Sequence, residues 1–150
     1  MAGPVAAFQE FFHGSLLVAF AGGPIIEEAV KPLGLYALLA WRPTALGGRL
    51  RVAFLSGLAG LAFGVVESTL YVWAYYPEHS QAWVLYRFTA TVALHTLWSF
   101  ILGFGINRRL VASIWGEAPF LSGNWKFFVT PMALHSAYNI GATIYPAFAR

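Results

Sequence analysis

The sequence predicts an all-α, polytopic membrane bundle of four to five transmembrane helices in a single domain spanning residues 1–150. Three observations predict it. Hydrophobic residues make up 59% of the chain and its mean hydropathy is +0.64. Only 10% of residues are charged, against about 25% in an ordinary soluble domain. The charges also cluster, leaving apolar tracts close to the roughly 20 residues needed to cross a bilayer. A soluble domain of 150 residues could not hide this much apolar surface.

The tracts follow in order. Residues 5–21 carry Phe8, Phe11, Phe12, Leu16 and Leu17 but also Gln9, Glu10 and His13. They are expected to form a fifth span, the alternative being an amphipathic helix on the surface. Gly22-Gly23-Pro24 should break the chain there, with Pro24 suited to the first position of the next helix. Residues 24–41 form the next tract, interrupted by Glu27, Glu28 and Lys31, with a kink expected at Pro32. Residues 52–74 follow, with Glu67 inside. Residues 83–106 carry Arg87 and His95, and residues 127–148 carry His135 and Asn139. Segment 113–123 is expected to be a short interfacial piece.

Loop 42–51 holds Arg42, Arg49 and Arg51, and loop 107–126 holds Arg108, Arg109 and Lys126. Loop 75–82 holds no Lys or Arg. Both basic loops are therefore expected in the cytoplasm and loop 75–82 outside. Trp41, Trp73, Trp83 and Trp125 fall at span ends, where an aromatic belt would place them. The few scattered basic residues give no stripe for nucleic acid. The lipid bilayer is the expected surrounding.

All six acids are Glu, and the chain has no Cys. That excludes thiolate nucleophiles, thiolate metal sites and Asp dyads. The buried ionisable residues then need partners, a wet cavity or a function. In Glu27-Glu28-Ala29-Val30-Lys31 the helical spacing lets the ammonium reach either carboxylate. Adjacent carboxylates in a low dielectric cannot both ionise cheaply, and such a pair offers a general base. A helix end at the headgroups is the plainer alternative. Ser56, Gly60 and Gly64 recur every four residues, a face that lets a second helix approach closely, with Glu67 three residues further on. Arg87, Thr91, His95 and Ser99 are spaced by four, and so are His135 and Asn139. Arg87 is near enough to a span end to snorkel, and His95 could be a hydrogen-bonded core histidine. Imidazole and carboxamide are donors suited to an oxyanion. His13 and His79 look peripheral.

Two functional classes use such a set: peptide hydrolysis in or beside the membrane, and proton- or ion-coupled transport. A small carrier, or a non-catalytic membrane adaptor, is thus the alternative to a peptidase. No Gly-x-Ser, no Asp pair and no His-Glu-x-x-His is present, so a protease of this sequence would use Glu.

Glu27-Glu28-x-x-Lys31, Phe63-x-x-x-Glu67, Arg87 with His95-x-x-x-Ser99, and His135 with Asn139 together resemble the PrsW family of membrane proteases. That family looks like a branch of the superfamily containing CAAX prenyl endopeptidases and bacteriocin-processing proteins. The resemblance runs from about residue 24 to residue 145. It implies a multi-pass peptidase acting on a membrane-anchored protein or peptide, with first-site cleavage of an anti-sigma factor as the PrsW-like case. It also implies Glu27 as the base that activates water, Glu67 as its partner, and His135 and Asn139 as oxyanion donors. Glu28, Lys31 and His95 complete the site, with Arg87 and Ser99 supporting it. The second motif ends in Glu where CAAX endopeptidases carry His. The favoured mechanism needs no cofactor, but zinc stays open, since Glu67, His95 and His135 would suit it.

Overall fold

The structure, a computed structural model, describes residues 18–75 and 78–144. Among these the only regular secondary structure is helix, with no strand. The six helices are α1 (Gly23–Val30), α2 (Leu33–Trp41), α3 (Arg49–Tyr75), α4 (Gln81–Gly103), α5 (Arg108–Ile114) and α6 (Trp125–Ile144). Only α3 is by itself both long and apolar enough to cross a bilayer. α4 passes only when taken with α5, from which it is bent by 72°. The four to five spans expected are thus one or two by this measure. The reason is local. Pro32 stops the 24–41 tract at Val30 and a new helix starts at Leu33, and His135 and Asn139 lower the hydropathy of α6. Segment 5–17 lies outside the described residues, as does His13.

The backbone does not break at Gly22-Gly23-Pro24 as expected. A π turn, Val18–Gly22, runs straight into α1, and Gly22 itself is right-handed helical (φ −61°, ψ −48°). Proline lacks an N–H, and the wider π turn ahead of it tolerates that loss. Two more π turns close α3 (Tyr71–Tyr75) and interrupt α4 (Arg87–Thr91). Beyond α5, segment 115–124 is a run of turns, with Leu121 at φ 55°. Asn107 and Asn124 exchange reciprocal amide hydrogen bonds of 3.1 Å, which fasten the end of α4 to the start of α6.

α3 and α4 pack most closely, through the small face. A Cβ on Gly60 would collide with the His95 carbonyl oxygen and with Ser99 Oγ, and one on Gly64 would lie 3.1 Å from Val92 Cα. Gly103 answers from α4, where a Cβ would lie 2.5 Å from Ala53 Cα. The helices touch backbone to backbone, and the side chains flanking the seam are held in fixed register.

The interior is divided along the helix axes. Leu39, Leu46, Val52, Leu102, Ile106, Leu110 and Phe128 fill one end, and Tyr71, Val72 and Trp83 fill the other. Trp83 is therefore core, buried against Tyr71 and Val72, and not part of the aromatic belt. Trp41, Trp73 and Trp125 are exposed. Between the two apolar ends lie Glu27, Glu28, Lys31, Glu67, Arg87, His95 and His135, all buried, while Phe54, Leu58, Val66 and Leu97 face outward. Charge inside and hydrocarbon outside is the arrangement a lipid surrounding favours.

Gly60→Val should lower thermal stability by about 1–3 kcal/mol or abolish folding, because the seam cannot open without separating α3 from α4. Gly34→Ala, where the added methyl meets nothing within 4 Å, should leave the melting temperature in detergent unchanged or raised. Equal melting of Gly60→Val and wild type would contradict this packing.

Candidate active site

α1 ends in the charged triplet, and Pro32 sets its geometry. Lys31 still closes the last turn through its N–H to Glu27 O (3.0 Å), so Lys31 stays on the helical face one turn from Glu28. Its ammonium chooses Glu28, donating to Oε1, and it also donates to His95 Nδ1 at 2.6 Å. The Phe63 ring lies 4.8 Å from the same ammonium, a cation–π contact that helps hold charge away from water.

That contact fixes the state of His95. Nδ1 accepts from an ammonium, so the ring proton is on Nε2, which meets Glu67 Oε2 at 3.0 Å. Glu67 Oε2 also accepts from Arg87 Nη2 at 3.1 Å. Arg87 does not snorkel. It is buried, its guanidinium lies 4.1 Å from the Tyr71 ring centroid, and it starts the π turn of α4. Ser68 Oγ donates to its carbonyl at 2.9 Å.

His135 comes in from α6, four residues after Pro131. Its Nδ1 is 2.9 Å from Glu28 Oε1, and its Nε2 is 3.8 Å from Glu27 Oε2. With Nδ1–H donated to Glu28, Nε2 presents its lone pair on the side of Glu27. Glu27, His95 and His135 are all buried, and each offers a ligand atom within 4.8 Å of the others. This differs from the zinc set expected from sequence, since Glu27 takes the place of Glu67. Glu67 instead sits on the opposite ring edge of His95 from Lys31.

The chemistry of the donors fits a divalent metal. Two imidazoles and one carboxylate form a set that catalytic zinc accepts. With His95 Nδ1 and His135 Nε2 as the ligating atoms, each imidazole would have its other nitrogen beside a carboxylate, Glu67 for His95 and Glu28 for His135. Such outer partners orient ligating histidines and raise their basicity.

Of the remaining expected residues, Asn139 is buried one turn beyond His135 on α6. Ser99 is buried against Gly60 and serves the α3–α4 seam. Thr91 shares a 3.1 Å hydrogen bond with the Tyr138 hydroxyl. His79 is exposed in the turn before α4, its ring 5.6 Å from that of Trp83.

Two aromatic residues escape the sequence analysis. Trp98 stacks on His135, with centroids 4.6 Å apart and planes at 20°, and meets His95 edge-on at 5.5 Å. Tyr138 accepts from Tyr86 (3.1 Å) and packs against Trp98. Both stand three residues after a site histidine, so they share its helix face. That spacing is the signal that could have found them.

No curated protein and no solved structure matches the chain. A family model does match, over residues 2–150, and its description is PrsW family intramembrane metalloprotease. That match selects a membrane protease over a carrier or an adaptor. The chain, which carries buried glutamates and histidines within an apolar helical shell, belongs to the PrsW family of membrane proteases.

Proposed function

We propose that this protein is a multi-pass intramembrane endopeptidase that hydrolyses a membrane-anchored protein, with Glu27, His95 and His135 holding a divalent metal at the reaction centre. The observation that carries the reading is the convergence of those three side chains within 4.8 Å, each histidine backed by its own carboxylate. A metal bound there would acidify water and polarise the scissile carbonyl.

The chain's own residues supply the rest. Glu67 is a positioning residue: clamped by Arg87, it fixes the ring of His95. Glu28 does the same for His135. Lys31 donates to the Nδ1 lone pair of His95, and that contact would have to open for His95 to hold a metal through this nitrogen. The amide of Asn139 is the donor proposed for the oxyanion. The apolar residues at both ends of the bundle limit water to the site, which strengthens every electrostatic contact inside it. Hydrolysis adds water across one peptide bond: its oxygen goes to the carbonyl carbon, and one proton ends on the departing amine.

A glutamate-only mechanism is the second reading, supported by Glu27 Oε2 standing 3.8 Å from His135 Nε2. Here Glu27 takes the proton from water, and His135 passes it on.

For topology, Arg49 and Arg108 line one cavity, which puts the two basic loops at the same end. Loop 75–82 follows the other end of α3, about 40 Å away at 1.5 Å per residue. We place the basic end in the cytoplasm. Gly60 and Glu67, which flank the site, then lie about 17 and 27 Å from that end, so cleavage occurs near mid-membrane or in its outer half.

Cleavage of a membrane-anchored reporter in proteoliposomes should fall roughly 100-fold or more for Glu27→Gln and for His135→Ala. Wild-type rates in both variants would overturn the site. Zinc bound by the purified protein, measured by elemental mass spectrometry, should drop in His95→Ala and His135→Ala, and strong chelators should stop cleavage. Full activity in metal-free protein would leave the glutamate-only mechanism. Glu67→Gln should keep the fold but weaken zinc affinity roughly 10–100-fold. Unchanged zinc affinity would remove Glu67 from its positioning role.

A further inference from the structure

A polar cavity lies far from the active site, at the end of the bundle where both basic loops meet. It measures about 220 Å³ and is lined by Leu39, Thr44, Leu46, Arg49, Val52 and Arg108, among others. Water at about 30 Å³ per molecule would fill it with roughly seven molecules, so it is more than a packing void. Its floor is rigid, because Leu39, Leu46 and Val52 belong to the buried apolar cluster. Its rim is cationic. Gly47, another wall residue, turns at φ +68°, where a Cβ would lie 3.4 Å from Arg51 Cδ and 3.6 Å from Arg51 Nη1. A third guanidinium therefore stands beside the two that line the cavity.

Neither Arg49 nor Arg108 has an ion pair among the described residues. Among the described acids, Glu27, Glu28 and Glu67 are committed to the active site, Glu78 lies in the loop at the opposite end of α3, and Glu117, in the turns after α5, is exposed and does not line the cavity. The guanidinium fork matches phosphate oxygens in pairs, and the Thr44 hydroxyl adds a donor. Trp41 and Leu50, exposed beside this end, offer apolar surface on which acyl chains could lie. Basic pockets between membrane helices on the cytoplasmic side take anionic headgroups.

We propose that this cavity binds the phosphate of an anionic lipid headgroup, with Arg49 and Arg108 as its ligands and Thr44 as an added donor. The site is separate from the hydrolytic centre and does not depend on the mechanism assigned there.

Native mass spectrometry on the delipidated full chain in detergent tests this, titrating dioleoyl phosphatidylglycerol, dioleoyl phosphatidylcholine and inorganic phosphate separately. Phosphatidylglycerol should bind at least tenfold more tightly than phosphatidylcholine. The Arg49→Gln/Arg108→Gln double variant should lose at least tenfold of that affinity. Arg42→Gln/Lys126→Gln, which removes the same charge away from the cavity, should keep it. Should the first double variant melt early, Arg108→Gln alone carries the comparison, with a loss of at least threefold expected. Equal binding of the two lipids, or an unchanged affinity in the Arg49 and Arg108 variants, overturns the proposal. Arginine-dependent binding of inorganic phosphate without lipid preference also overturns it, assigning the cavity to a soluble phosphate.

Discussion

Glu28 Oε1 is the atom on which the arrangement turns. It meets Lys31 Nζ on its own helix and His135 Nδ1 on α6, and Lys31 carries the connection on to His95 of α4. One buried carboxylate thus ties three helices together around a point that water reaches poorly. Desolvating such charges costs several kcal/mol per ion, and the cost is offset where the groups pair, Glu28 with Lys31 and His135, and Glu67 with Arg87 and His95. Removing a single member leaves its partners buried and uncompensated, a loss of about 3–5 kcal/mol for a broken buried pair.

The rest of the fold follows from keeping that cluster closed. The glycines of α3 bring α4 close enough for Glu67 to reach His95. Pro32 ends α1 just after the triplet, so its charged face meets α6 instead of continuing along a straight span. The Arg87–Thr91 π turn begins at the residue that clamps Glu67, consistent with the frequent place of such turns at functional sites. Trp98 then covers both imidazoles with one ring. Polar groups hold the inside together, and the exposed apolar residues are left to lipid.

Features decided within one helix were legible in the sequence. The spacing of Glu28 and Lys31 put their side chains in reach, Pro32 announced an interruption, and Ser56, Gly60 and Gly64 announced a close-packed face. Features decided between helices were not. Helical periodicity leaves the relative depth and rotation of two helices open. It therefore could not say that Glu27 would stand with the histidines while Glu67 backed His95 from behind. Arg87 shows the same limit: four residues from a span end it could snorkel, but Glu67 on the neighbouring helix lies at its depth and takes it inward. Trp83, at a span end in the sequence, is likewise drawn inward by Tyr71 and Val72 of α3. Apolar length read along the sequence runs across Pro32 and across the polar groups of α6, so the described helices bear out one or two of the four to five spans.

The central claim is that α1 and α6 bring Glu27 and His135 to one point. The chain contains no cysteine, so pairs can be introduced on a silent background and crosslinked in native membranes with a short bis-methanethiosulfonate reagent. Glu27→Cys with His135→Cys should crosslink as readily as Tyr86→Cys with Tyr138→Cys, whose hydroxyls are 3.1 Å apart. Crosslinking of the tyrosine pair without any of the Glu27 and His135 pair would show that the two helices do not meet there, and would contradict the account.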